Sequence, residues 1–223
     1  LMLYPMNALV SDQIGRLRKM IGDTEGEFLN LFKNFNGNNA RRPQFGMYTG
    51  RTPYPGEINS DKDKKLAETL TSDLLNKSDE VKEKLVEIGK YPAKYDLQEF
   101  VDMLYEGKHI TNDNDAEMIT RIEMQQLCPD ILITNYSMLE YMLIRPVESK
   151  LWEETKRWLE FDKENKLTIV IDEAHMYKGS AGGEVALLIR RLLNKLNINN
   201  SRVNFILTSA SVPKEEKEYI EKF

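Results

Sequence analysis

Two neighbouring acids, Asp172 and Glu173, directly follow the β-branched run Thr168–Ile171. Such a run is typical of a strand buried in a parallel sheet, so the acids are predicted to lie where that strand leaves the core. Carboxylates at such a strand end can bind Mg²⁺ and orient a water for attack on a phosphoryl group. A merely solvated acidic strand end is the competing interpretation, and for an isolated Asp-Glu pair it is the more common case.

Residues suited to binding phosphate follow other apolar runs in the same way. Main-chain amides at strand-to-helix turns, hydroxyl groups and fixed positive charges contact the backbone of a nucleic acid rather than its bases. Each residue alone is more often an ordinary turn residue, but together they predict a track for one strand. The candidates are Pro5, Met6, Asn7, Thr49, Gly50, Arg51, Thr134, Asn135 and Tyr136.

Short apolar runs separated by helical patterns predict how these residues are positioned. The expected strands are Leu1–Tyr4, Phe45–Tyr48, Ile131–Thr134, Thr168–Ile171 and Asn204–Leu207. Ala8–Ile21 and Glu184–Leu196 have the apolar spacing of core-facing helices. The alternation predicts a doubly wound, mainly parallel α/β sheet, in which ligands bind at the carboxyl ends of the strands.

The segment from about 55 to 127 has a different composition and is predicted to be a helical insertion on the α/β core. It contains 17 acids against 10 bases, whereas the remainder of the chain has a slight excess of bases. The expected helices are Asp61–Leu75, Ser78–Ile88, Leu97–Tyr105 and Asp115–Leu127, with no strand among them. The acidity of this segment makes direct phosphate binding by it unfavourable.

Composition excludes several classes of protein. One cysteine among 223 residues rules out an internal disulfide and, with no secretory segment, favours a cytoplasmic location. No apolar run reaches the roughly 20 residues that a membrane helix needs, so no membrane partner is expected. The net charge of −5 argues weakly against nucleic acid, but the acids are concentrated in the insertion.

Five motifs in succession resemble those of the first motor domain of superfamily 2 helicases, the DEAD/DEAH-box group. VIDEAH at 170–175 is similar to motif II, the Walker B motif. The others are LYPMNALVSDQ at 3–13 (motif Ia), YTGRT at 48–52 (the Thr-Gly motif), PDILITNYSMLEYMLIRP at 129–146 (motif Ib) and TSAS at 208–211 (motif III). The resemblance implies a RecA-like fold of the P-loop NTPase type. More narrowly, the run 172–192 is similar to bacterial repair and phage-defence DNA helicases.

The resemblance implies ATP and Mg²⁺ as ligands and gives each residue near the acids a role. Asp172 would hold Mg²⁺ through water, Glu173 would act as general base, and His175 would sense the γ-phosphate or link motif II to the coupling loop. A polar turn residue is the alternative for His175. Thr208, Ser209 and Ser211 would couple hydrolysis to movement, although a serine capping a helix near Pro213 is also compatible with this stretch.

On the nucleic-acid side, the resemblance implies that the nine candidates above bind the backbone of DNA or RNA without reading its sequence. Asn7 stands where the family usually has a basic residue, which weakens the charge argument at that position.

The 223 residues contain no Walker A loop of the form G-x-x-x-x-G-K-[ST]. The resemblance places that loop before Leu1 and a second motor domain beyond Phe223. The chain is therefore expected to be an incomplete first motor domain, inactive by itself as an ATPase. A fragment of a DNA helicase or translocase is the favoured interpretation. An RNA helicase of the same superfamily and a catalytically inactive nucleic-acid-binding or assembly module are the alternatives.

Overall fold

One sheet forms the centre of the molecule in the computed structural model, which describes residues 1–23, 26–38, 40–53 and 58–209. Its strands are β1 (Met2–Tyr4), β2 (Phe45–Tyr48), β3 (Glu117–Met118), β4 (Ile131–Asn135), β5 (Leu167–Ile171) and β6 (Val203–Leu207). Their order is β3-β2-β4-β1-β5-β6, and every neighbouring pair is parallel. The predicted doubly wound α/β fold is confirmed, and each of the five expected strands lies within one residue of its predicted ends.

Helices cover both faces of this sheet. In the described residues they are α1 (Asn7–Ile21), α2 (Glu27–Asn36), α3 (Ser60–Leu70), α4 (Asp79–Glu87), α5 (Leu97–Tyr105), α6 (Arg121–Gln126), α7 (Tyr136–Ile144), α8 (Ser149–Phe161) and α9 (Ser180–Leu196). A single π-helical turn, Thr71–Leu75, continues α3. Among the residues whose structure is described, no helix is both long and apolar enough to cross a membrane.

Successive side chains of a strand point to opposite faces of the sheet, and here each face has its own apolar core. On one face, Leu3 and Leu132 pack with residues of α6 to α9. On the other face, Tyr4 and Ile133 pack with Val10 and Ile14 of α1. The sheet is therefore buried on both sides, which accounts for its continuous apolar runs.

Helix α9 begins four residues earlier than predicted, at Ser180 instead of Glu184. Gly182 lies in its first turn and is buried, and a Cβ atom there would sit only 2.5 Å from the main-chain oxygen of Tyr177. A glycine, normally unfavourable in a helix, therefore permits close packing of the helix on the loop after β5.

The segment from 55 to 127 differs from the expectation in two respects. It contains β3, which pairs with β2 and extends the sheet by one strand. The expected helix over 115–127 is replaced by this strand and the shorter α6. Met118 of β3 and Met124 of α6 are fully buried in the main core, so the last part of the segment belongs to the sheet and is not an appendage.

The sequence pattern missed β3 because two residues are too few to show a period of two. One of them, Glu117, is an acid, which normally argues against a buried strand. Its carboxylate accepts two hydrogen bonds from Arg18 of α1, both 2.7 Å long, and one from the main-chain amide of Ala93. The charge is therefore paired inside the fold.

A buried ionic cluster joins the helical part of the segment to α6. Lys94 Nζ lies 2.9 Å from Asp115 Oδ2 and 2.5 Å from Glu123 Oε1, and all three side chains are almost completely buried. Burial alone would lower the pKa of Lys94, but the charges of Glu123 and Asp115 raise it above its ordinary value. The same Nζ lies 4.5 Å from the ring centre of Phe100 in α5.

We expect Lys94→Met to lower the free energy of unfolding of the 223-residue chain by about 3 kcal/mol, because two buried carboxylates lose their counter-ion. Urea denaturation would measure the change. Lys84→Met is the matched control, since Lys84 forms an exposed pair with Glu80 and should contribute less than about 0.5 kcal/mol. Equal effects of the two substitutions would contradict a stabilising role for the buried cluster.

Candidate active site

Asp172 lies directly beyond β5, where two chain segments hold it. Its main-chain amide donates to the carbonyl of Leu3 at 3.0 Å, which continues the pairing of β5 with β1. Its Oδ1 accepts a hydrogen bond from the Thr208 hydroxyl at the end of β6. Asp172 and Thr208 therefore meet at the carboxyl edge of the sheet, as their positions after neighbouring parallel strands require.

Glu173 adopts a left-handed backbone, with φ 52° and ψ 44°. This conformation is unfavourable for a residue with a Cβ atom, and such strain concentrates at functional sites. Its Oε2 atom is buried and lies 3.2 Å from His175 Nδ1. The second acid is therefore held beside the imidazole at the end of the strand.

His175 connects the acids to the segment after β6. Its Nδ1 lies 2.9 Å from the Ser209 hydroxyl and 3.2 Å from Glu173 Oε2. The main-chain amide of Ala174 also donates to the carbonyl of Thr208 at 2.9 Å. The structure therefore brings together five of the six predicted residues of motifs II and III, namely Asp172, Glu173, His175, Thr208 and Ser209. Ser211 lies outside the described residues.

The loop after the acids also touches the turn after β4. The rings of Tyr177 and Tyr136 pack edge to face, with centres 4.7 Å apart. Burial raises the pKa of Tyr177 to about 12, and the charges of Asp172 and Glu173 act in the same direction. Sequence reasoning did not select Tyr177, although its position two residues after His175 is a usable signal.

A second group of candidates lies where β1 and β4 end side by side. Asn135 Nδ2 donates to Asn7 Oδ1 at 2.6 Å, while Asn135 Oδ1 caps α7 by accepting from the amide of Met138 at 2.8 Å. Met6 is exposed and Pro5 is partly exposed at the same strand end. The turn residues predicted from motifs Ia and Ib are thus adjacent in space.

Two of the residues predicted to contact a nucleic acid do not face solvent. Thr134 is fully buried, and its hydroxyl donates to the carbonyl of Tyr48 at 2.6 Å. Thr49 is only 1% exposed, and its hydroxyl accepts from the amide of Arg51 at 3.2 Å. Both hydroxyls therefore stabilise the ends of β2 and β4 and are not offered to a ligand.

Gly50 and Arg51 are the exposed part of the turn after β2. A Cβ atom at Gly50 would meet nothing within 4 Å, and the φ angle of Gly50 lies outside the left-handed region. The fold itself therefore does not require glycine there. A bare main chain beside an exposed guanidinium is suited to the close approach of a phosphate group.

Asp172 is the side chain at this strand end that could help to hold Mg²⁺. Among the residues whose placement is described, no group of three or more His, Cys, Asp or Glu side chains could hold a metal ion by itself. Mg²⁺ is commonly bound by one or two carboxylates that share it with water and substrate phosphates. Asp172 fits that mode, because it is a carboxylate at the strand end whose Oδ1 is oriented by the Thr208 hydroxyl.

Comparison with known proteins places this arrangement in a family. The chain is 44% identical to the Druantia protein DruE of Escherichia coli (strain UMEA 4076-1), over 95% of its own length and 12% of the relative's. It is 36% identical to the uncharacterized ATP-dependent helicase YprA of Bacillus subtilis (strain 168), over 57% of this chain and 16% of YprA. The crystal structure of the DUF1998 helicase MrfA aligns with 99% of this chain and 21% of that chain, with 22% identity and a TM-score of 0.39.

The 223 residues thus span less than a quarter of the length of each of these proteins. A family model described as DEAD/DEAH box helicase matches residues 76–219, which is more than half of the chain and includes motifs Ib, II and III. The chain therefore belongs to the DEAD/DEAH box helicase family.

Proposed function

We propose that this chain forms part of the ATP-hydrolysing motor of a DNA helicase or translocase. The proposal rests on one observation. At the carboxyl edge of the sheet, the motif II residues Asp172, Glu173 and His175 lie beside Thr208 and Ser209. The same edge carries the turns after β1, β2 and β4, where a nucleic-acid strand would lie. Hydrolysis and strand binding would then share one rigid sheet.

In this proposal, Asp172 holds Mg²⁺ through water, and the Thr208 hydroxyl fixes the orientation of its carboxylate. The bound ion would neutralise charge on the phosphates of ATP. Glu173 would accept the proton of the attacking water, and its Oε2 lies 3.2 Å from the His175 imidazole. The two neighbouring acids have different partners, Thr208 for Asp172 and His175 for Glu173, which suits them to separate tasks.

His175 and Ser209 are proposed to couple the two ligand sites. Their contact of 2.9 Å joins motif II to the end of β6, and the imidazole also neighbours the proposed base. A change at the phosphates can thereby be passed on to Ser209 and the end of β6. The nucleic-acid side of the proposal rests on Pro5, Met6, Asn7, Asn135 and Tyr136 with Gly50 and Arg51.

DNA is proposed as the substrate because the run after the acids resembles that of DNA helicases, while the main-chain contacts themselves suit either nucleic acid. The ratio of ATPase stimulation by single-stranded DNA to that by RNA of the same sequence separates the two substrates. Absence of ATPase activity in the intact protein with either one would favour a binding or assembly module instead.

We expect Glu173→Gln in the intact protein to reduce the rate of ATP hydrolysis at least about 100-fold while ATP affinity stays nearly unchanged. The amide occupies the same volume but cannot accept a proton. Phosphate release would measure turnover, and calorimetry with Mg-ATP would measure binding. Glu140→Gln is the control, because Glu140 lies exposed on α7, 3.3 Å from Arg191. Near-normal turnover in Glu173→Gln would exclude Glu173 as the base.

We expect Arg51→Ala to weaken single-stranded DNA binding and to reduce the slope of log affinity against log salt by about 0.7, the value for one phosphate contact. Fluorescence anisotropy at several salt concentrations would measure both quantities. Arg157→Ala removes another exposed arginine, which pairs with Glu154 on α8, and should leave the slope unchanged. An unchanged slope in Arg51→Ala would remove this residue from the proposed track.

A further inference from the structure

Arg121 is a buried arginine that the motor chemistry described above does not use. It is the first residue of α6, and the capping box between Thr120 and Glu123 fixes the start of that helix. Only 3% of Arg121 is exposed. Its position is therefore set by a short, capped helix that follows β3 at the end of the acidic segment.

The contacts of Arg121 surround the turn after β2. Its main-chain amide donates to the carbonyl of Pro53 at 3.1 Å, and its Nη2 donates to the carbonyl of Thr49. Its guanidinium carbon lies 5.2 Å from the ring centre of Tyr48. One residue thus binds the last residue of β2 and both ends of the turn at 49–53.

The Tyr48 ring is itself held in place from the other side. Its hydroxyl donates to Glu148 Oε1 at 2.7 Å and accepts from Gln125 Nε2 at 2.7 Å. Glu148 is completely buried, so it supplies a negative charge to the same region. The guanidinium therefore rests on an aromatic face that can move little.

Burying the charged guanidinium of Arg121 here costs free energy unless its charge or its planar shape has a role. Burial lowers the pKa of Arg121, and the Arg145 charge acts in the same direction. Its Nε atom has no hydrogen-bond partner in the described part of the chain. An apolar side chain of similar volume would avoid these costs, since replacing buried charges by apolar groups is often neutral or stabilising.

The turn that Arg121 contacts is also closed by its own hydroxyl groups. The Thr52 hydroxyl donates to the carbonyl of Met47 in β2 and accepts from the amide of Thr49, and the Thr49 hydroxyl accepts from the amide of Arg51. These bonds hold the turn to its own strand. The bond from Arg121 Nη2 to the Thr49 carbonyl adds a link from the turn to α6.

We propose that Arg121 is a positioning residue, which orients the turn at 49–53 so that Gly50 and Arg51 can bind the backbone of a single nucleic-acid strand. This inference rests on the proposed function. It gives the acidic segment, although unsuited to binding phosphate itself, an indirect part in strand binding. Through Glu123 the same helix start is joined to Lys94 and the buried ionic cluster.

The test compares Arg121→Met with Arg42→Met in the intact protein. Arg42 is also a buried arginine, 5% exposed, whose Nε has no hydrogen-bond partner among the described residues. Its carboxylate partner, Asp23, is 2.7 Å away, but Arg42 lies before β2. Anisotropy with a single-stranded oligothymidylate would measure affinity, and thermal unfolding would measure stability. We expect Arg121→Met to bind about tenfold more weakly, because it loses a charged hydrogen bond to the turn. Arg42→Met should bind like the wild type.

A double-mutant cycle with Gly50→Ala then tests whether Arg121 acts through the turn. Coupled residues give non-additive effects on binding, whereas independent ones give additive effects. We expect a clearly smaller loss in the double variant than the sum of the two single losses. Additive losses, or equal affinities of Arg121→Met and Arg42→Met, would overturn the inference.

Two further measurements separate failure of this inference from failure of the proposed function and from a variant that does not fold. If wild-type protein bound neither oligothymidylate nor RNA of the same length, the proposed function itself would fail. If Arg121→Met did not fold, Arg121→Lys would replace it, since lysine keeps the charge but loses the planar fork. An intermediate loss of affinity in Arg121→Lys supports the inference, and unchanged affinity overturns it.

Discussion

The parallel pairing of β5 with β6 is the constraint on which the arrangement of the acids depends. It sets Ile171 opposite Leu207, so the next residues on the two segments are Asp172 and Thr208, whose side chains are hydrogen bonded. The amides of Ala174 and Thr208 continue the pairing beyond the ends of both strands. The first acid and the motif III hydroxyl are therefore held by the same ladder as the core, and the site needs no separate support.

The acidic segment shows how charged sequence can belong to a core. Glu117 is paired with Arg18, and Lys94 is shared between Asp115 and Glu123, so each of these four buried charges of the segment has an opposite charge within hydrogen-bond distance. Such pairs contribute little net stability compared with apolar packing, but breaking one is costly. In this protein they attach β3 to α1 through Glu117 and Arg18, and the stretch before α5 to α6 through Lys94 and Glu123.

The sequence was sufficient for the features that depend on local pattern. Five strands, the parallel sheet and the placement of the strand ends at one edge all follow from apolar runs and from the geometry of parallel sheets. The features it missed depend on tertiary pairing. β3 is too short to show a period, the burial of Thr49 and Thr134 depends on neighbouring strands, and Arg121 looks like any charged residue of a solvated helix until its partners are known.

Under the proposed function, the hydrogen bonding of the turn hydroxyls inside the fold limits how these turns would recognise a nucleic-acid strand. The hydroxyls of Thr49 and Thr134 are hydrogen bonded to main-chain groups, and the side-chain amide of Asn135 donates to that of Asn7. The exposed candidates at these strand ends include Gly50, which has no side chain, and the Arg51 guanidinium. Such groups bind phosphate, which DNA and RNA share, and few of them can contact a ribose 2′-hydroxyl. Any preference for DNA must therefore arise from surfaces other than the turns after β1, β2 and β4.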